Sequence, residues 1–442
     1  MPFYKRWDRK DTAALLGVFA GALAVRLAFV FFLRPPPVSD AAWYYARALG
    51  IVHGLGYTVH GYPTAYWPPG WPYFLAGVIR LFGPSVFGAE IVQAVLSALT
   101  VGIVFLIGRH VFGRLCGIAG AAAYALLPSA VEWNAVLLSE PLYTFLWAFV
   151  TYIWIVRPTR ALGWFAFSGV LLGATALVRP SALFFWLILL AYLVTIQNER
   201  KHPARIAAAV ILTAGCTLLT VAPFLVRDYK VYHTLVIISN NGGVSLYQSN
   251  NSLARGGYST YNDPQVDNLI SDPRTEAAGD RLASERAMQY IKSHPAHEVS
   301  LAVRKVASLY AKDDSVIRFS FGARHYQDTS PLPSDGLSTA LLLLNTTVYY
   351  VFMFFAVLGV ALCCLGRSRT TNPGWRLLLG MILYNTAIFA VIMGLDRYRY
   401  PTMPFFAVFA GLGIIHALGY VRDALPARVK ADREARGESR TT

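Results

Sequence analysis

A small set of charged side chains stands where the sequence leaves or re-enters an apolar run, and their types suit proton transfer and anion binding. Asp40, in VSDAAWYYARAL, is the one carboxylate in residues 34–85. A carboxylate partly desolvated at a membrane edge can take a proton from a hydroxyl, so Asp40 reads as a general base. It reads equally as a cap, with Ser39 or Asp40 accepting hydrogen bonds from the first turn of a following helix. Glu132 and Glu140, in VEWNAVLLSEPLYTF, flank a short turn between apolar runs. Acids that close to hydrocarbon are costly and are as a rule paired or functional, although Glu140 beside Pro141 also suits a helix start. Arg397 and Arg399, in GLDRYRYPTMPFF with Asp396, either snorkel to headgroups or clamp a phosphate, which the planar guanidinium fork fits. Arg179, in LVRPS, sits between two tightly connected runs, and Arg26 snorkels or pairs locally.

Metal chemistry finds little support. HPAHE at 294–298 pairs two histidines with an acid, but Pro295 breaks the helix that would align them. The four cysteines, Cys116, Cys216, Cys363 and Cys364, fall in or beside apolar runs with no C-x-x-C, so neither a disulfide nor a thiolate site is expected.

The elements that must position these groups follow from composition. Of 442 residues 55% are hydrophobic and 14% charged, with a mean hydropathy of +0.45. Soluble domains do not carry that balance, and an all-α polytopic membrane protein does. A bilayer core needs roughly 20 apolar residues per helical crossing. About ten segments approach that: 12–33, 86–108, 115–131, 138–156, 161–178, 180–196, 206–226, 337–365, 376–394 and 400–420.

The net charge of +15 does not point to nucleic acid, because the basic residues fall in particular loops. With the N-terminus inside, the short inner segments hold 20 of the 39 Lys and Arg, whereas the three short outer connections hold only Arg179, Arg397 and Arg399. The positive-inside rule then puts both termini in the cytoplasm. The first run leads straight into LRPPPVSD without a small-residue cleavage site, and reads as a retained helix. On this reading 1–421 form one transmembrane domain, 422–442 a basic cytoplasmic tail that is disordered or lies on the surface, and the hydrophilic excursions 34–85 and 227–336 share the outer face.

Within the first excursion Tyr44, Ala48, Ile51, Val52 and Leu55 recur at helical spacing, so 41–53 reads as an interfacial helix with Trp43 and Tyr45 at headgroup level. WPYFLAGVIRLFG is a second short amphipathic piece. The second excursion opens with SNNGGVSLYQSNN and closes in a helix whose stripe of Val299, Ala302, Val303, Val306, Leu309 and Tyr310 is expected to pack against the membrane-facing layer or the first excursion.

Several stretches, in this order, carry a resemblance: SDAAWYYARAL, YWPPGWPYFLAGVIRLFG, GRHVFG, LSEPLYTFL, ALVRPSALF, APFLVRDYKVY with SNNGGVSLYQSNN, and RYRYPTMPFFAVFAG. Together they resemble the bacterial GT-C glycosyltransferases, in the branch of the protein O-mannosyltransferases and the lipid A aminoarabinose transferase. The resemblance implies a multi-pass enzyme of the bacterial plasma membrane that moves a sugar, with inversion, from a polyprenyl-monophosphate carrier to a lipid, glycan or protein acceptor on the outer face. It implies Asp40 as the base, Glu140 as a second catalytic acid, and Arg397, Arg399, Lys312 or Arg318 as the cation on the carrier phosphate. Trp43, Tyr44, Tyr66, Trp67, Glu132 and Asn250 are the expected sugar or acceptor contacts. The aminoarabinose-transferase pattern has an Arg three residues after the first acid and a Glu-Lys pair before a proline; here Trp43 and Trp67 stand there instead.

A monophosphate leaving group can be stabilised by Arg or Lys alone, so no metal or other cofactor is expected. Two other classes make distinct demands. A transporter places ionisable residues near mid-membrane in broken helices, whereas this chain keeps its charges at the ends of its apolar runs. A lipid-linked oligosaccharide polymerase or ligase shares substrates and architecture, but would release a diphosphate.

Overall fold

Helices form wherever the sequence is apolar for long enough, because a backbone in hydrocarbon must satisfy its own hydrogen bonds. A computed structural model describes residues 7–435 except 34, 158, 160, 197–198, 318–335, 369 and 371. In chain order its first helices are α1 (Arg9–Phe32), α2 (Asp40–Val52), α3 (Gly70–Phe82), α4 (Val86–Phe112), α5 (Arg114–Ala125), α6 (Pro128–Glu132), α7 (Glu140–Val156), α8 (Leu162–Val178), α9 (Phe185–Thr195) and α10 (Pro203–Tyr232). There follow α11 (Gly242–Ser249), α12 (Pro264–Ser271), α13 (Glu276–Ser293), α14 (Pro295–Ala311), α15 (Gly336–Cys364), α16 (Gly374–Val391), α17 (Asp396–Arg399) and α18 (Met403–Ala435).

All ten apolar runs are helical, but ten crossings are not established. Among the described residues six helices are long and apolar enough to cross a membrane: Arg9–Phe32, Val86–Phe112, Pro203–Tyr232, Thr339–Cys364, Gly374–Val391 and Asp396–Tyr420. The pair α5 and α6 passes the test jointly but bends by 67°, at Pro128, whose missing N–H cannot continue the ladder. Glu140–Val156, Leu162–Val178 and Pro180–Thr195 are shorter. At 1.5 Å per residue, 17 residues reach only about 25 Å of a core of about 30 Å.

Small residues let these helices approach closely, as is usual in membranes. On α8, a Cβ at Gly169 would stand 2.5 Å from the Thr213 carbonyl oxygen of α10. The Thr217 hydroxyl donates to the Gly169 carbonyl at 3.1 Å, adding a polar tie to the packing. At the opposite end of the bundle from Asp40, Asp11 of α1 receives Arg109 of α4 and Arg114 of α5, each at 2.7 Å.

The excursions fold on the bundle. Helices α2 and α3 form as the amphipathic patterns require, with Ala41, Tyr44 and Ala48 of α2 buried; Leu55, assigned to the same face, lies beyond its end and is exposed. Between α2 and α3 a two-residue ladder, β1 (Thr58–Val59) with β2 (Tyr62–Pro63), turns at His60 and Gly61. Both turn residues have positive φ, as a tight hairpin turn demands.

One buried carboxylate joins the two excursions. Glu276, at the start of α13, accepts from Thr64 Oγ1 at 2.9 Å, Ala65 N at 2.5 Å and the Tyr232 hydroxyl at 2.6 Å. Burial pushes this carboxyl above the usual range, and those donors pull it back. Arg227, near the end of α10, donates to the carbonyls of Thr64 and Tyr57, both at 2.9 Å.

One sequence expectation holds only in part, since of the α14 stripe Leu309 is buried and Ala302, Val306 and Tyr310 are half-buried. In α14 the buried face is Leu301, Lys305 and Leu309, whereas Val299 and Val303 are 70% and 66% exposed. A polar lysine rather than the valine stripe faces inward because it finds acceptors there. Helix α18 continues to Ala435.

Candidate active site

Asp40, Glu140, Arg179 and Arg397 meet in one cluster. Arg397 Nη1 donates to Asp40 Oδ2 at 2.9 Å, and Arg397 Nε donates to Glu140 Oε1 at 2.5 Å. The same Glu140 oxygen receives Arg179 Nη2 at 2.6 Å, while Arg179 Nε reaches Ser139 Oγ at 3.2 Å. Burial is graded across the cluster: the Glu140 side chain is 0% exposed, Arg397 11% and Asp40 22%. Asp40 therefore forms the accessible rim and Glu140 the floor.

Helix ends bring the four together. Asp40 opens α2 and Glu140 opens α7, where the positive end of the helix dipole favours an anion; Arg179 closes α8, where the negative end favours a cation. Pro141 suits the first turn of α7, where an N–H would lack a partner. Ser39 makes no side-chain capping bond and adopts φ +50, ψ −125. Such a conformation is strained for a residue with a Cβ, and it turns the chain from Pro35–Pro37 into α2. The capping reading of Asp40 thus gives way to an ion pair with Arg397. Glu140 likewise begins its helix facing two guanidiniums.

Arg397 and Arg399 separate because residues two apart on a helical turn face different ways. Arg399 is fully buried and donates to the carbonyls of Leu309 (2.8 Å) and Lys312 (2.9 Å), to the Tyr349 hydroxyl (3.0 Å) and to Asp313 (2.8 Å). It fastens the end of α14 to α15 and does not join Asp40. Burial lifts the Asp313 carboxyl to about 6 despite this partner. Lys312 pairs with Asp314 at 3.1 Å, and Arg318 lies outside the described residues.

Rings wall one side of the cluster. Trp43 meets Tyr44 edge-on at 5.6 Å and Tyr57 at 6.0 Å; Tyr44 tilts on Trp67 at 6.1 Å, and Trp67 meets Tyr66 at 5.4 Å. The Tyr57 hydroxyl ties the wall by donating to the Trp67 carbonyl at 2.7 Å. Tyr44 is buried within the wall, so the half-buried Trp43, Tyr66 and Trp67 are the faces open to a ligand. Burial and the Asp40 charge push the Tyr66 phenol up to about 12.

Two expected contacts lie elsewhere. Glu132 is buried and accepts from Asn345 Nδ2 of α15 at 2.6 Å. Asn250 accepts from Lys305 Nζ at 2.6 Å and donates to the Val391 carbonyl at 3.2 Å, locking α14 to the end of α16. Both are committed to packing. Conversely, Arg179, the weaker of the sequence's arginine candidates and given no role there, shares Glu140 with Arg397. Its signal was an arginine at the end of an apolar run, immediately before a proline.

Chemically, a carboxylate with one exposed edge stands beside a guanidinium and a ring surface. Among the described residues no three His, Cys, Asp or Glu side chains converge to hold a metal ion.

Comparison with known proteins bears on the fold. Residues 67–226 match the family model described as dolichyl-phosphate-mannose-protein mannosyltransferase, a little over a third of the chain that includes Trp67, Glu140 and Arg179 but not Asp40 or Arg397. The archaeal oligosaccharyltransferase AglB from Archaeoglobus fulgidus, solved with an inhibitory peptide and a dolichol-phosphate, superposes over 98% of this chain at a TM-score of 0.55 and 14% identity. Its apo form gives 0.56 over 100%, also at 14% identity. The chain has the fold of the GT-C glycosyltransferases. It spans about half the length of those archaeal chains, 52% and 53% respectively. ArnT from Cupriavidus metallidurans bound to undecaprenyl phosphate aligns at 14% identity over 94% of this chain and 80% of that one, with a TM-score of only 0.40. The curated proteins returned no match.

Proposed function

We propose that this protein is an inverting glycosyltransferase of a bacterial plasma membrane that uses a polyprenyl-monophosphate sugar. The observation that carries the reading is Asp40, the partly open carboxylate, held 2.9 Å from Arg397 beside a wall of half-buried rings. A carrier lipid keeps its tail in the bilayer and offers its reacting carbon at headgroup depth, where an interfacial site must meet it. The acceptor hydroxyl gives its proton to Asp40 as its oxygen bonds to the anomeric carbon from the face opposite the leaving group. The bond from that carbon to the phosphate oxygen breaks, and its electron pair leaves on the carrier phosphate, next to Arg397. Trp43, Tyr66 and Trp67 offer surfaces to sugar rings. Glu140, expected as a second catalytic acid, is enclosed and holds Arg397 from below, and in this reading it acts through Arg397. The base and the guanidinium perform every step without a metal.

The acceptor is the hydroxyl of a lipid, a glycan or a protein. Positive-inside loops support an outer-face site with both termini in the cytoplasm, and residues 422–442 on the inner side.

A second reading has one observation in its favour, the likeness of fold to an oligosaccharyltransferase. In that case a preassembled glycan would move and a diphosphate-linked carrier would be consumed. A transfer assay with synthetic polyprenyl-phosphate sugars separates the two. The first reading expects release of polyprenyl monophosphate by the wild type and loss of turnover in Asp40→Asn with unchanged thermal stability. Turnover retained by Asp40→Asn would overturn Asp40 as the base, and transfer only from a diphosphate donor would favour the second reading.

A further inference from the structure

Arg397 serves two carboxylates with different edges of one guanidinium, and the two contacts differ in firmness. Its Nε contact is to Glu140, which is fully enclosed and held from a second side by Arg179. Its Nη1 contact is to Asp40, which is partly solvated and begins a helix on the surface of the bundle. Without a ligand, then, the carboxylate meant to take a proton is engaged as a hydrogen-bond acceptor by the cation meant to receive a phosphate. Nη1 carries a second N–H, so a phosphate arriving there either shares that nitrogen with Asp40 or displaces it.

We infer that the carrier phosphate and Asp40 compete for Nη1 of Arg397, so that arrival of the donor frees the base. Nε stays on Glu140 and acts as the pivot. The outer edge of the guanidinium exchanges a carboxylate oxygen for a phosphate oxygen, and Asp40 then turns its released oxygen to the acceptor hydroxyl. Donor binding therefore favours the acceptor, because an acceptor arriving alone meets a carboxylate with one oxygen, Oδ2, already engaged. This rests on the polyprenyl-phosphate reading above and adds a coupling between the two substrates.

The test is a double-mutant cycle on binding of undecaprenyl phosphate, the carrier without sugar, to the full chain in lipid nanodiscs. Asp40→Asn leaves only a neutral, weaker acceptor in place of the competing carboxylate, and the carrier should bind about tenfold tighter, the size of one charge-assisted hydrogen bond. Removing a negative charge would favour any phosphate by simple repulsion, so the same substitution is also made in Arg397→Gln. Competition for Nη1 requires the gain to fall below about twofold in that background, because the shared donor is gone. An equal gain in both backgrounds, or none in the first, overturns the exchange and leaves the carrier reading in place. Failure of the wild type to bind the carrier overturns both.

Should Arg397→Gln not fold, infrared difference spectra need only the wild type and Asp40→Asn. Adding undecaprenyl phosphate should shift a carboxylate stretch in the wild type that is missing from Asp40→Asn. No such shift would overturn the exchange.

Discussion

Arg397 and Glu140 are 257 positions apart in the chain and 2.5 Å apart in space, Nε against Oε1. The same oxygen lies 2.6 Å from Nη2 of Arg179, so one buried carboxylate balances two guanidiniums from two other elements. Glu140 thereby sets where Arg397 points, and through it the position of the Asp40 pair.

Removing Glu140 should therefore unfold the site as well as silence it. In Glu140→Ala Arg179 loses its carboxylate and Arg397 keeps only Asp40, a situation that costs about 3–5 kcal/mol when one member of a buried pair is deleted. Glu140→Gln keeps an acceptor oxygen and loses the charge, so it should fold with a smaller loss of stability while carrier binding falls. Thermal unfolding in detergent and carrier affinity measure the two effects separately. A Glu140→Ala chain as stable as the wild type would show that the pairs hold nothing in place.

Arg399 should behave in the opposite way to its neighbour. Its bonds run to Leu309, Lys312, Tyr349 and Asp313, so Arg399→Ala strands Asp313 and should destabilise by roughly 3–5 kcal/mol. Where Arg399→Lys folds, carrier affinity should stay within about twofold of the wild type. A large loss of affinity in that folded variant would return Arg399 to the phosphate site.

How much of this could be read from sequence depends on the range of the interaction. Helices such as α1, α4 and α10 follow from runs of apolar residues, a local property, and Asp40 was conspicuous as the lone acid of its excursion. The division of labour between Arg397 and Arg399 was not legible, because it turns on which side of one helical turn faces α14 and which faces α7. Glu276 was missed for the same reason: its donors Thr64, Ala65 and Tyr232 come from distant segments. The α14 stripe was legible only in part: Leu309 is buried, whereas Val299 and Val303 are exposed and Lys305, outside the stripe, finds Asn250 and the Val391 carbonyl.

Gly70 offers a test of how tightly the first excursion must sit. A Cβ there would lie 2.6 Å from the Leu177 carbonyl carbon and 2.7 Å from Val178 N, backbone atoms that cannot yield. Gly70→Ala must push α3, with α2 packed on it, away from the end of α8 that carries Arg179. A displacement of about 1 Å can cost on the order of 100-fold in rate, so turnover should collapse in a variant that still folds. Gly77→Ala in the same helix meets nothing within 4 Å and should be silent. Equal activity of the two variants would contradict the close approach.

Lys305 should leave a signature in the pH dependence of stability. Its ammonium is buried in α14, donating to Asn250 Oδ1 at 2.6 Å and to the Val391 carbonyl at 2.7 Å, and burial lowers its pKa from 10.5 to about 8. Below about pH 8 both folded and unfolded chains hold the proton, and the folded chain bears the cost of an enclosed charge. Between about 8 and 10.5 the folded chain has released it and the unfolded chain has not. Unfolded protein then binds more protons, so stability rises with pH across that window. Lys305→Met abolishes this rise and leaves Asn250 Oδ1 and the Val391 carbonyl short of a donor, a loss of about 1–3 kcal/mol at neutral pH. Melting temperatures from pH 7 to 10.5 for the two proteins, compared as a difference, isolate this one group from the other titrating lysines and tyrosines. A difference that stays constant across the window would mean that Lys305 titrates as it would in water, and that the lock between α14 and α16 is open to solvent.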